Sequence, residues 1–151
     1  MDSFNQIMFN IRRGYYRYIG SGSSREVYDL GNGYVIKVAK NRAGIAQNES
    51  ESNISYYDNS DLFAKVIQVS NDFYFLIMEK ADKIYNISEV FKYFNVSGKS
   101  GLFNLKEMQR IKINYNLLLA DFDRKSNWGI IKGRPVIIDY GFTREVSRRY
   151  Y

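Results

Sequence analysis

A few residues of the 151-residue chain stand where their types and spacing could do chemistry. Lys37 lies inside the apolar run YVIKVA at 34–39, and Asp139 directly follows Val136-Ile137-Ile138. Asn127 ends the polar loop leading into the same C-terminal hairpin, and Glu49 and Glu51 fall in the polar stretch 42–57. A lysine in an apolar strand either snorkels to the surface or is held by a carboxylate, here Glu51 or Glu49. A carboxylate at the end of a buried strand, next to a glycine, suits a hard metal ion or simply a turn. The chain has no Cys and no His. That excludes structural zinc, a disulfide frame and Ser-His-Asp or Cys-His nucleophiles. What remains is carboxylates, amines, amides and backbone N–H groups, and phosphoryl transfer is the main reaction class that needs no more, given Mg²⁺.

The elements that must position these residues read as a single α+β domain, a size that buries a genuine core. Strands are expected over 14–20, 26–30 and 34–39, the last two joined at Gly31-Asn32-Gly33, whose residues tolerate a tight turn. A partly exposed helix over 42–57 follows, then strands at 62–69 and 73–79 and a short helix over 87–94. Residues 96–101 read as a loop. The strongest helical pattern runs over 105–120, where Leu105, Met108, Ile111, Tyr115, Leu118 and Leu119 share one face. A polar loop at 121–127 leads into a hairpin of 128–131 and 135–138. Gly20-Ser21-Gly22-Ser23-Ser24 joins two strands, not a strand and a helix, which excludes both a Rossmann turn and a Walker loop.

The formal charge is +6, spread along the chain with local density at Arg12, Arg13 and Arg17 and at Arg144, Arg148 and Arg149. Phosphate-rich partners or an ordinary solvated surface both follow from it. No nucleic-acid-binding signature accompanies the charge, so nucleic-acid binding is a subsidiary reading. No run approaches the roughly 18–20 apolar residues of a membrane span. Asp2 and the late basic pair Arg12-Arg13 reverse the order of a secretory leader, so a cytoplasmic protein is expected. Heavy use of Tyr, Asn, Ile and Lys reads as an AT-rich coding genome.

Taken jointly and in this order, the features resemble the protein kinase-like superfamily from about residue 15 to residue 143. Gly20-Ser21-Gly22, then Val27, is similar to the Gly-rich loop GxGxxGxV. VIKVAK at 35–40 resembles the strand carrying the phosphate-binding lysine, here Lys37, with Glu51 as its helix partner and Glu49 in reserve. DFDRKSNWG at 121–129 resembles the catalytic loop with Asn127 as a metal ligand, and VIIDYGF at 136–142 the DFG segment with Asp139. The wording most resembles small kinase-like proteins of bacteria and phages. The resemblance implies an antiparallel five-stranded N-lobe with one helix over about 14–80 and a reduced, mainly helical C-lobe over about 84–151. It implies ATP between the lobes, Mg²⁺ on Asn127 and Asp139, and adenine at the hinge after Met78-Glu79.

The pattern also departs from the family. Arg25 replaces the third glycine of the loop and is expected to be bulky beside the phosphates, or to bind them. The position of the catalytic aspartate is Phe122, flanked by Asp123, the first choice of base, and Asp121, the second. Ten residues follow Gly141, so the peptide-docking helices are expected to be missing. Three functions follow: a pseudokinase or kinase-derived interaction protein, an active minimal phosphotransferase, or a basic nucleic-acid-binding protein. Self-association or a protein partner through the C-terminal half is expected, because the face of the 105–120 helix needs cover and an aromatic-plus-Arg tail suits an interface.

Overall fold

The computed structural model describes residues 3–151; Asp2, on which part of the leader reading rests, lies outside them. The chain opens with a helix that the sequence reading did not assign, α1 (Phe4–Arg12), whose N-cap Ser3 accepts from the Gln6 amide. Its signal was present: Phe4, Ile7 and Ile11 recur at helical spacing behind a serine cap. Next come β1 (Arg17–Ser21), β2 (Arg25–Asp29), β3 (Tyr34–Ala39), α2 (Arg42–Tyr57), β4 (Val66–Val69) and β5 (Phe75–Glu79). The five strands form one antiparallel sheet in the order β1-β2-β3-β5-β4.

Alternation along β3 explains the placement of Lys37. Ile36 and Val38 face one way, into a cluster with Ile7, Ile77 and the flanking Phe4 and Ile11, so α1 covers that face. Val35 and Lys37 face the other way. Val35 joins the main core with Met78, Ile54, Trp128 and Met108, and Lys37 is registered between Val27 of β2 and Leu76 of β5. Thus both faces of the strand are buried, and the lysine is embedded in the inner one.

The second part of the chain holds β6 (Asp82–Lys83), α3 (Ser88–Tyr93), α4 (Lys99–Phe103), α5 (Lys106–Tyr115), two 3₁₀ turns at Leu119–Asp123 and Lys125–Asn127, β7 (Trp128–Ile131), β8 (Arg134–Ile137) and α6 (Arg144–Tyr150). Strands β6-β7-β8 make a small antiparallel sheet. Among the described residues no helix is long and apolar enough to cross a membrane.

Three expectations are corrected. The helix expected over 105–120 stops at Tyr115, because Asn116 takes the left-handed conformation (φ 57°) that asparagine tolerates. Leu117 then pairs with Thr143 instead of extending the helix, and it is Leu117, not Leu118, that is fully buried. Residues 96–101 are not all loop, since α4 starts at Lys99 to bury Leu102. The strand expected from residue 62 begins at Val66; Leu62 and Ala64 instead exchange backbone bonds with Ile137 of β8. The C-terminal residues form α6, capped by Thr143 and packed on α2. Of the face expected to need cover, Met108, Ile111 and Leu119 are buried, while Tyr115 and Leu118 are partly exposed.

Candidate functional site

The site is built around Glu51, which α2 brings beneath the sheet with no solvent exposure. Asn41 caps that helix through the Gly44 amide at 3.0 Å. Six donated bonds converge on the Glu51 carboxylate. Lys37 Nζ donates to both oxygens at 2.9 and 3.1 Å. Arg25 donates from Nη1 at 2.8 Å and from Nη2 at 2.9 Å, and the amides of Tyr140 and Gly141 complete the set at 2.9 and 3.0 Å. Lys37 also donates to the Ile138 carbonyl at 2.6 Å. One carboxylate therefore ties β2, β3 and α2 to the Asp139-Tyr140-Gly141 segment. Glu49, the reserve partner, is exposed on the same helix and plays no part.

Burial alone would push the Glu51 carboxyl up, but Arg25 and Lys37 more than reverse this and hold it at about 2. The same burial pulls the Lys37 ammonium below its usual range, and Arg25 pulls in the same direction against the attraction of Glu51.

Gly141 is a close-approach position. A Cβ there would meet the Gln47 carbonyl oxygen of α2 at 2.5 Å, so only glycine lets the segment after Asp139 lie against the helix.

In front of this cluster is a cleft of about 760 Å³. Its roof is the β1–β2 turn, with Gly20, Gly22, Ser23 and Ser24; Val27, Val35, Met78, Ala81 and Ile138 give it an apolar slot at the hinge side. Lys37, Asp121, Asn127, Asp139 and Glu79 line it as well. Three expected residues, Ser21, Glu51 and Asp123, do not reach the lining. Ser21 turns outward and accepts from Lys40 Nζ at 2.8 Å, and Glu51 is shut behind Lys37 and Arg25. At the hinge, the Glu79 amide already donates to the Lys65 carbonyl and the Lys80 amide to the Gly33 carbonyl, each at 2.9 Å.

The catalytic-loop region also differs from expectation. Phe122 is a core residue, 2% exposed, and its carbonyl accepts from Trp128 Nε1 at 2.9 Å. Of its neighbours, Asp121 lines the cleft and Asp123, the first choice, does not. The Asp121 carboxyl is raised by burial and by the nearby charge of Asp139, against the pull of Arg124. Asn127 donates to the Asp121 carbonyl at 2.5 Å.

Arg25 is the residue whose role sequence reasoning missed. It lines the cleft but lies flat beneath the loop, 6% exposed, with its guanidinium bonded to the cluster around Glu51. There it bonds Asn48 Oδ1 at 3.0 Å, Glu51, and Asp139 Oδ1 at 2.8 Å. Burial would lower its pKa, but Glu51 and Asp139 raise it further above its ordinary value. The signal was parity: Arg25 is two residues before Val27, hence on the same face of β2 as the residue opposite Lys37. Tyr151 was missed in this role too. Its hydroxyl bonds Ser24, accepts from Gln47 Nε2 at 3.1 Å, and its ring meets Phe142 edge-on at 5.1 Å, beneath the loop.

The apolar slot, the loop amides and the lysine fit a nucleotide. The same residues, as placed, do not fit a divalent cation. One of its two expected ligands, Asp139, is already ion-paired to a buried guanidinium, and Asn127 supplies only a neutral oxygen.

The strand order β1-β2-β3-β5-β4, a Gly-rich turn between β1 and β2, a β3 lysine paired with a glutamate of the helix that follows it, and a cleft above an Asp-Tyr-Gly segment together define the class. The fold is protein kinase-like, α+β, with a five-stranded antiparallel sheet and a small, largely helical second part. No protein-family model matches the chain, and no curated protein matches it in sequence. Among solved structures, a streptomycin-ATP-APH(2")-IIa ternary complex aligns with a TM-score of 0.49 at 16% identity, covering 93% of this chain and 71% of that one. The gentamicin-APH(2")-IIa complex aligns with a TM-score of 0.49 at 15% identity, covering 93% and 70%. The PknI kinase domain of Mycobacterium tuberculosis gives 0.43 at 15% identity, covering 85% of this chain and 59% of that one.

Proposed function

We propose that this kinase-like domain binds ATP in the cleft under the β1–β2 turn and acts as a regulatory or interaction protein, a pseudokinase, not as a conventional protein kinase. The observation that carries the reading is Lys37. It lines the cleft below the glycine turn, fixed by Glu51 and the Ile138 carbonyl, where a phosphate chain entering under the turn would meet it. Val27, Val35, Met78 and Ala81 would take the base, and the cations Arg17, Lys83 and Arg124 at the cleft would draw the polyphosphate in. Two observations favour binding over catalysis: the expected base position is the core residue Phe122, and Asp139 is held by Arg25.

A second reading, an active phosphotransferase, draws support from Asp121. Its carboxylate lines the same cleft, with a pKa raised as suits an acceptor of a hydroxyl proton.

A thermal-shift titration with ATP, run with and without added MgCl₂, tests the binding reading. A ligand of the native state raises the melting temperature progressively with its concentration. A folded sample whose melting temperature does not move at millimolar ATP in either condition contradicts the reading.

A further inference from the structure

In the site as folded, the positive charge next to Asp139 is a side chain. Arg25 reaches it from the first residue of β2, and its position is fixed by four bonds: one to Asn48, two to Glu51 and one to Asp139. The guanidinium cannot lose its proton in a protein, and its planar fork holds Glu51 and Asp139 at once, which an ammonium could not do with the same geometry. Any divalent cation placed on Asp139 would stand beside this buried charge and would have to displace it or be repelled by it. Conversely, phosphates arriving under the Gly20–Gly22 turn meet Lys37 and Arg25 together, both lining the cleft.

We infer that Arg25 is an internal cation standing in for the metal, so that this site takes the triphosphate of ATP in its metal-free form, with Arg25 and Lys37 as the phosphate-facing charges. The inference rests on the proposed nucleotide site and specifies the form of the ligand. It also accounts for the departure at the loop's third position. A glycine there would leave the space between Glu51 and Asp139 open to a hydrated ion, whereas the arginine fills it, 6% exposed.

The test is fluorescence anisotropy of a ribose-labelled ATP with the full chain, in excess EDTA and in excess MgCl₂. For the wild-type protein the affinity differs by less than about threefold between the two, where a metal-requiring site loses roughly tenfold or more in EDTA. Arg25→Gln, which keeps the length and a donor but no charge, loses roughly tenfold in EDTA and recovers in MgCl₂, as the freed Asp139 accepts the ion. Should Arg25→Gln not fold, the wild-type comparison still decides, and Arg25→Lys supplies the variant arm with weakened binding in EDTA. Wild-type binding that requires MgCl₂ overturns the inference and leaves the nucleotide site intact. Variant and wild type behaving alike in both buffers overturns the role of Arg25. Absence of binding in both buffers by folded wild-type protein overturns the inference and the nucleotide site together.

Discussion

The amide of Gly141 donates to Glu51 Oε2 at 3.0 Å, across 90 residues of sequence. That bond, with its neighbour from Tyr140, locks the segment after Asp139 onto α2, and it forms only because Gly141 brings no side chain against Gln47. Gly141→Ala therefore destabilises the protein by about 1–3 kcal/mol through forced displacement of this segment. Urea denaturation gives the value, and a stability equal to that of wild type would show the contact to be slack.

Glu51 is the carboxylate that the buried cations Arg25 and Lys37 share, whereas Asp139, half exposed, is ion-paired to Arg25. Glu51→Ala removes the carboxylate that neutralises Lys37 and leaves Arg25 with Asp139 as its counter-charge. Removing one partner of a buried pair costs about 3–5 kcal/mol, and the same denaturation experiment is expected to place this variant below Gly141→Ala. A loss under about 1 kcal/mol would mean that water reaches the cluster.

The same carboxylate sets an acid limb. Its pKa is lowered from 4.5 to about 2 in the folded chain, because Arg25 and Lys37 outweigh burial. A carboxylate depressed by folding contributes stability that is complete above its unfolded pKa and is lost as the pH falls toward its folded one. The melting temperature should accordingly fall between about pH 4.5 and pH 2, and Glu51→Gln should flatten that limb. Parallel wild-type and variant profiles would assign the acid transition to other groups.

Any phosphoryl transfer from ATP to the protein itself should depend on Asp121 rather than Asp123, as only the former faces the cleft. Asp121→Asn is expected to lower such transfer by roughly a hundredfold or more, the usual contribution of a positioned base, with Asp123→Asn near wild type. Radiolabel incorporation from ATP checks this, and the reverse order would restore Asp123 as the base.

How far the molecule was legible differed from segment to segment. Strand Tyr34–Ala39 and helix Arg42–Tyr57 matched their expected ends, because a β-branched run and an asparagine cap are local signals. The family resemblance put Glu51 first and Glu49 in reserve as the partner of Lys37, and the folded contacts fall on Glu51. What escaped was decided by distant contacts. Helix α4 forms across Gly98-Lys99-Ser100-Gly101, a loop-like composition, because Leu102 has core to enter. The end of α5 depends on Leu117 meeting Thr143, a contact between residues far apart in the chain. Arg25 could be seen to replace a glycine, but whether it would face a ligand or turn inward depended on where Glu51 and Asp139 meet. Its inward turn is a property of three elements packed together, not of the loop itself.

An ATP site whose phosphate end is Lys37 predicts a clear outcome in calorimetric titration of ATP into wild-type protein and Lys37→Ala. The expected result is saturable binding to the wild type, weakened by roughly tenfold or more in the variant, with both proteins folded by circular dichroism. Equal affinities for the two proteins, or a folded wild type that takes up no ATP, would contradict the claim.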